Sequence, residues 1–102
     1  MSKNEQLIIN TIVKGIFDNL PSVFGVTPIR LYTCSAWVYY TGRYTILKSY
    51  STIIAVYDGE RDVLYDGLRY VYGYTATSAQ HIAKFKKFLP DRPGQVLTYR
   101  NV

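Results

Sequence analysis

Residues with reactive side chains are scarce in this 102-residue sequence, which contains one histidine, His81, and one cysteine, Cys34. A structural zinc site requires several histidine, cysteine or carboxylate ligands that converge on one ion, so the sequence argues against a metal site. Cys34 and His81 have the chemistry of a nucleophile and its base, but they lie far apart in the sequence and no local signature accompanies them. A buried structural thiol is the more common role of a single cysteine.

Paired carboxylates for acid–base catalysis would have to come from Asp58, Glu60, Asp62 or Asp66. These residues crowd into predicted turns, where aspartate is a common turn former. The segment that they span lacks the ligand pattern of a calcium-binding loop, and the glycines stand singly, unlike those of a phosphate-binding loop. We therefore expect a protein that is not an enzyme and that uses no cofactor.

Positive charge is concentrated in the last quarter of the chain. The formal net charge is +5, and in residues 76–102 a single acidic residue, Asp91, stands against these basic residues: Lys84, Lys86, Lys87, Arg92 and Arg100. This asymmetry favours a partner with an acidic surface or a phosphate backbone. A solvated helix face that keeps the protein in solution is the alternative interpretation.

Tyrosine is unusually abundant, with 11 residues against one tryptophan and four phenylalanines. Some of these rings must build the core, and others are expected at the surface, where tyrosine is favoured in binding sites. One interpretation is a nucleic-acid-binding protein, in which tyrosines of the sheet stack on bases. The phosphates would then be contacted by Arg43, Arg69 and the lysines from Lys84 to Lys87. Cross-strand packing of the same rings is the structural alternative.

The spacing of apolar residues predicts the elements that position these side chains. Ser2-Lys3-Asn4-Glu5 fits a capping box, and the helical spacing behind it, which continues to Pro21, predicts an amphipathic N-terminal helix. Runs rich in β-branched and aromatic residues then predict strands: Ala36–Tyr40, Arg43–Lys48, Thr52–Tyr57, Val63–Tyr65 and Arg69–Tyr72. Thr41-Gly42 and Asp66-Gly67 are the predicted tight turns, and Gln95–Tyr99 forms either a last edge strand or a tail.

A second capping box, Thr77-Ser78-Ala79-Gln80, predicts a C-terminal helix that ends at Pro90. Its apolar stripe comprises Ala79, Ile82, Phe85 and Leu89, with Ala83 and Lys86 at the margin and with His81, Lys84 and Phe88 on the opposite flank. The predicted fold is a single α+β domain over residues 1–102. It has an N-terminal helix, an antiparallel β-meander of four to five strands and a C-terminal helix, with both helices on one face of the sheet.

The sequence also bears on the compartment. A lone cysteine fits a reducing environment, no secretory signal is evident at the N-terminus, and the longest apolar run, from Ile53 to Tyr57, is too short to span a bilayer. We expect a cytoplasmic protein without a membrane partner.

Two segments of the chain resemble a motif of small phage-encoded proteins of unknown function. The motif reads Tyr-Ser-Ala-Thr-Thr-Ser-x-His-Ile-x-Lys-Phe, and a Tyr-Ser-Tyr-x-Thr-Pro-Val-Ala strand precedes it. Residues 74–85 are similar to the motif, with Ser78 for threonine and Ala79 for serine, and residues 49–55 are similar to the strand, with Ile53 for proline. The resemblance covers about residues 43–88. It implies a phage or prophage origin more than an activity.

Phage genomes encode many small proteins that bind and disable host machinery, anti-CRISPR proteins among them. The resemblance therefore implies a non-enzymatic antagonist of a host defence complex, such as a CRISPR effector that handles nucleic acid. Direct binding of DNA or RNA is the first alternative, and a sponge for a nucleotide signal is the second. The basic charge argues against mimicry of DNA, which requires an acidic surface.

The residues predicted to contact the partner are basic or aromatic, and most come from the C-terminal helix: Arg69, Tyr74, His81, Lys84, Lys87, Phe88 and Arg92. The sequence leaves the oligomeric state open, a homodimer included.

Overall fold

A computed structural model describes residues 2–102 and confirms the α+β class. Within these residues the helices are α1 (Lys3–Asp18), α2 (Leu68–Val71) and α3 (Ala76–Phe88). The strands are β1 (Ile29–Arg30), β2 (Ala36–Tyr40), β3 (Tyr44–Ser49), β4 (Thr52–Asp58), β5 (Val63–Asp66) and β6 (Gln95–Thr98). The sheet thus has one or two strands more than predicted. No helix in the described part of the chain combines the length and hydrophobicity needed to cross a bilayer.

The six strands form one sheet whose spatial order follows the sequence, from β1 to β6. Each neighbouring pair from β1 to β5 is antiparallel, which confirms the predicted meander. Residues 95–98 form an edge strand, but β6 runs parallel to β5. A parallel neighbour requires a long crossover, and here α2 and α3 form that crossover between β5 and β6.

The predicted strand Arg69–Tyr72 is wrong, because this segment forms α2. Leu68 is buried and Val71 packs against the same core, whereas Arg69 and Tyr72 are exposed; this spacing of three belongs to a helix rather than a strand. Asp66-Gly67 is accordingly not a hairpin turn. β5 continues through Asp66, whose Oδ1 accepts a hydrogen bond from the backbone N–H of Leu68 at 3.2 Å.

The two long helices lie on opposite faces of the sheet, so the prediction that both cover one face is wrong. Phe85 of α3 belongs to one buried cluster, with strand residues that include Val38 and Leu47. Phe17 of α1 belongs to a second cluster, with strand residues that include Tyr39 and Ile46. The cause is visible in the strands, because adjacent residues point to opposite faces. Where two adjacent residues of a strand are both apolar, both faces of the sheet must be buried by other elements.

Helix α3 begins earlier than the predicted capping box implies. Its N-cap is Thr75, whose side chain accepts a hydrogen bond from the backbone N–H of Ser78 at 3.1 Å, whereas Thr77 already lies inside the helix. The short connection from α2 turns at Gly73, whose φ of 93° lies in the left-handed region that favours glycine. This turn places Tyr74 directly before the cap.

Candidate functional site: a basic groove beside helix α3

The parallel pair of strands ends at a cavity of about 230 Å³. Asp66 is the last residue of β5, Thr98 is the last residue of β6, and the two are paired in the sheet. Both line the cavity. Open sheets with parallel strands place ligands in the crevice beyond the carboxyl ends of those strands, so the crossover of this fold creates a cavity in a position suited to a ligand.

Three cationic side chains from different elements line this cavity. Arg69 comes from α2, Lys86 from α3, and Arg100 from the segment that follows β6. The guanidinium of Arg69 lies over the ring of Tyr74, at 4.4 Å from the ring centroid. Tyr74 itself is 56% exposed. A cation held against an aromatic face is favoured electrostatically, and the pair presents a flat, positively charged surface at the edge of the cavity.

A second cavity, of about 530 Å³, adjoins the first along α3. The two share Ala83 and Lys86, and the second is also lined by Lys87, Leu89 and Arg92. We call the two cavities together the basic groove, and its cations are the following: Arg69, Lys86, Lys87, Arg92 and Arg100.

Among residues 2–102, no cation of the basic groove has a carboxylate oxygen within 4.0 Å. In residues 2–102 the two ion pairs closer than 4.0 Å both belong to Arg43, which lies 2.9 Å from Asp58 and 3.3 Å from Glu60. The groove therefore presents a concentrated positive potential to a partner.

One carboxylate, Asp66, lines the basic groove among the described residues. Burial raises the pKa of Asp66 above the usual carboxyl value. The hydrogen bond from Leu68 and the positive charges of Lys86, Arg100 and Arg69 act in the opposite direction. The charges of all three cations thus reach Asp66, which places the carboxylate among them.

Four of the seven predicted contact residues lie in the basic groove: Arg69, Tyr74, Lys87 and Arg92. Lys84 and Phe88 lie on the other flank of α3. Lys84 Nζ donates a hydrogen bond to Cys34 Sγ at 3.4 Å, and the ring of Phe88 packs edge-on against Tyr32, with the centroids 5.5 Å apart. These two residues are therefore not brought together with the groove.

His81 is placed in the interior, and its prediction as a surface contact is corrected. The side chain is 4% exposed. Its Nδ1 lies 2.7 Å from the Oγ of Ser49, and the Ser49 Oγ lies 3.0 Å from the Oγ of Ser78. Burial, and secondarily the charge of Lys84, lower the pKa of His81. The imidazole is thus held neutral, and it accepts or donates a hydrogen bond inside the molecule instead of contacting a partner.

The predicted use of sheet tyrosines as a base-stacking platform is also limited by the fold. Tyr39 of β2 and Tyr65 of β5 are buried in the cluster beneath α1. The tyrosines that are markedly exposed are these: Tyr32, Tyr40, Tyr50, Tyr72 and Tyr74. Of these, Tyr74 lines the basic groove, so it is the ring best placed to contact a ligand of the groove.

Arg100 and Asp66 of the site were not among the predicted contacts, and Lys86 was predicted only as one of the lysines that would contact phosphates in the nucleic-acid alternative. The positive surplus of residues 76–102 included Lys86 and Arg100, and that surplus was the signal that pointed to them. Nothing in the sequence spacing, however, indicated that α2 and the end of β6 meet α3. Within residues 2–102, no three histidine, cysteine or carboxylate side chains come together as metal ligands would.

Helix, sheet and groove together define a small α+β domain with an unpaired basic surface beside its crossover. Comparison with known proteins gave no matching family model, no matching curated protein and no matching solved structure.

Proposed function

We propose that this chain is a non-catalytic binding protein that attaches to a negatively charged partner through the basic groove. The observation that carries the proposal is the convergence of the groove's cations without a carboxylate partner within 4.0 Å in residues 2–102. Like charges held close together repel one another and reduce stability. A fold that holds them in adjoining cavities gains from the arrangement when a complementary surface binds there.

The biological role that we propose is antagonism of a host defence complex, of the anti-CRISPR type. The resemblance of residues 43–88 to small phage proteins supports this setting. A groove that combines arginine with an exposed tyrosine also suits a protein target, since both residue types are enriched among the residues that dominate binding energy at interfaces. The partner surface would be acidic, because the groove is basic.

Direct binding of DNA or RNA through the same groove is the second candidate. The exposed ring of Tyr74 favours it, because bases stack on aromatic rings while neighbouring cations contact phosphates. The two candidates differ in their response to salt and to nuclease. Neutralisation of phosphates makes nucleic-acid binding fall steeply with ionic strength.

A charge-reversal experiment tests the proposal. The tagged protein is first used to capture its partner from a nuclease-treated lysate of the host bacterium. The partner is then purified, and its affinity is measured for the unchanged protein and for the double variant Lys87→Glu/Arg92→Glu. We expect binding to weaken by at least about tenfold, as for charged pairs at an interface. The control is Lys84→Glu on the same helix, because Lys84 lines neither cavity of the groove, and it should leave the affinity unchanged.

Two outcomes contradict the proposal. An affinity that is the same for the groove variant and the Lys84 control would show that the partner uses another surface. A partner that is captured only before nuclease treatment, together with a salt-dependent shift of labelled DNA or RNA, would instead establish the second candidate.

A further inference from the structure

We infer that the cavity beyond β5 and β6 binds a single nucleotide unit, with its phosphate on Lys86 and Arg100, its base against the Arg69–Tyr74 pair, and a hydroxyl or amino group on Asp66. This inference goes beyond attachment to an acidic partner, and it does not depend on it. The side chains that line the cavity are complementary to the chemical parts of a nucleotide, namely its phosphate, its base and its hydrogen-bond donors.

The cations supply the phosphate site. Lys86 and Arg100 enter from α3 and from the segment after β6, so they approach the cavity from two sides. Neither has a carboxylate within 4.0 Å in residues 2–102. An arginine fork matches the geometry of phosphate oxygens, and a lysine adds a compact charge.

The Arg69–Tyr74 pair supplies the platform for a base. The guanidinium of Arg69 is planar and lies 4.4 Å from the centroid of the Tyr74 ring. Bases stack both on aromatic rings and on guanidinium planes. Tyr74 remains 56% exposed despite this contact, so a flat ligand has access to the pair.

Asp66 distinguishes a nucleotide from a simple anion. A carboxylate in a site built for a simple anion such as phosphate would repel the ligand. Asp66 nevertheless lines the cavity, where one of its oxygens accepts a hydrogen bond from Leu68 and acceptor capacity remains on the group. Ribose hydroxyls and exocyclic amines of bases are donors that an acidic side chain lacks.

The size of the cavity leaves no room for more than one unit. Its volume of about 230 Å³ lies below the roughly 300–1,000 Å³ of pockets that enclose drug-sized ligands. The adjoining cavity of about 530 Å³ extends along α3 with Lys87 and Arg92. A free nucleotide and one residue of a nucleic-acid strand therefore have the same chemistry at this site, and the experiment must separate these two sources.

The test measures binding of 5′-AMP, adenosine and inorganic phosphate to the full chain by titration calorimetry and by NMR shifts. We expect 5′-AMP to bind at least about tenfold more tightly than either fragment, because both halves of the site are filled. Tyr74→Ala should weaken the binding of 5′-AMP but not that of phosphate. The matched control is Tyr40→Ala, an exposed tyrosine at the end of β2, which should change neither.

Equal affinity for 5′-AMP and phosphate would overturn the inference, and so would an unchanged affinity for 5′-AMP in Tyr74→Ala. Absence of NMR shifts around Arg69 and Lys86 at millimolar 5′-AMP would overturn it as well. Tetra-adenylate forms the second arm. If the affinity for tetra-adenylate exceeds that for 5′-AMP by more than about a hundredfold, the natural ligand is a nucleic-acid strand. If the two affinities are similar, the natural ligand is a free nucleotide. Either result of this arm supports a nucleotide unit, and neither requires that a protein partner bind the groove.

Discussion

The Oγ of Ser49 lies 2.7 Å from Nδ1 of His81, and this contact joins the end of β3 to α3 inside the protein. The Oγ of Ser78, at 3.0 Å from Ser49, completes the buried polar cluster. Ser49 and Ser78 are fully buried, so each hydroxyl depends on the others for hydrogen bonds. Ser49 lies in residues 49–55, and Ser78 and His81 lie in residues 74–85, the two segments on which the sequence-based prediction of a phage origin rests. The cluster therefore gives these two separate segments a common structural role.

Replacement of Ser49 by alanine should destabilise the protein. The substitution removes the shared partner of His81 and Ser78, and a buried polar group without a partner costs about 1–3 kcal/mol. The control is Ser51→Ala in the next turn, where the side chain is exposed and the change should stay within about 0.5 kcal/mol. Urea unfolding curves measure both values. Equal unfolding midpoints for the two variants would show that the cluster contributes no net stability.

The stability of the protein should decrease as the pH falls through the ordinary range of histidine titration. Burial lowers the pKa of His81 in the folded state, so the unfolded chain binds a proton near pH 6.5 while the folded chain does not. The contribution of neutral His81 is thus fully present above that pH and is lost below it. We expect the free energy of unfolding to be smaller at about pH 5.5 than at about pH 7.5.

His81→Gln isolates this titration, because His81 is the one histidine of the sequence. The urea concentration at the unfolding midpoint should decrease as the pH is lowered for the natural chain, and it should decrease less for the variant. Asp66 works in the opposite direction, since its pKa is raised and its protonation stabilises the fold as the pH falls. That effect is common to both proteins and cancels in their difference. Parallel pH profiles would contradict the prediction.

The elements that were located correctly from the sequence depend on local patterns. The capping box at Ser2 predicted the start of α1, and the Ser2 Oγ accepts a hydrogen bond from the backbone N–H of Glu5 at 3.1 Å. The strands β2 to β5 lie close to their predicted ranges, because alternation and β-branched composition act within a few residues. The apolar stripe of α3 is likewise confirmed, with Ile82, Phe85 and Leu89 buried.

The features that were missed depend on contacts between residues far apart in the sequence. His81 lies off the apolar stripe of α3, and its burial becomes intelligible only when Ser49, 32 residues away, supplies a hydrogen bond. The basic groove exists because the crossover brings Arg69 and Arg100 beside Lys86. Helical spacing places Lys86 at the margin of a stripe, but it does not show which neighbouring element lies there.

Two glycines should respond to alanine in opposite directions. A Cβ on Gly67 would overlap the ring of Phe17, which is a buried core residue, and overpacking of this kind costs about 1–3 kcal/mol. Gly15 lies on the exposed side of α1, and apart from its chain neighbours and the backbone of the helix itself no atom lies within 4 Å of the position that a Cβ would occupy there. Alanine at this position should therefore add about 0.5–1 kcal/mol through its helix propensity. Thermal unfolding measures both shifts. An increase in stability for Gly67→Ala would contradict the close contact between Gly67 and Phe17 of α1.

Two threonines at the start of α3 distinguish the observed cap from the predicted one. Thr75 accepts a hydrogen bond from the N–H of Ser78, so Thr75→Ala should cost about 1 kcal/mol. Thr77 is an exposed residue inside the first turn, where alanine improves helix propensity and should stabilise by a few tenths of a kcal/mol. Urea unfolding of the two variants therefore gives changes of opposite sign. If Thr77→Ala were the more costly substitution, α3 would begin at the capping box expected from the sequence, and Tyr74 would no longer be adjacent to the cap that fixes its position at the groove.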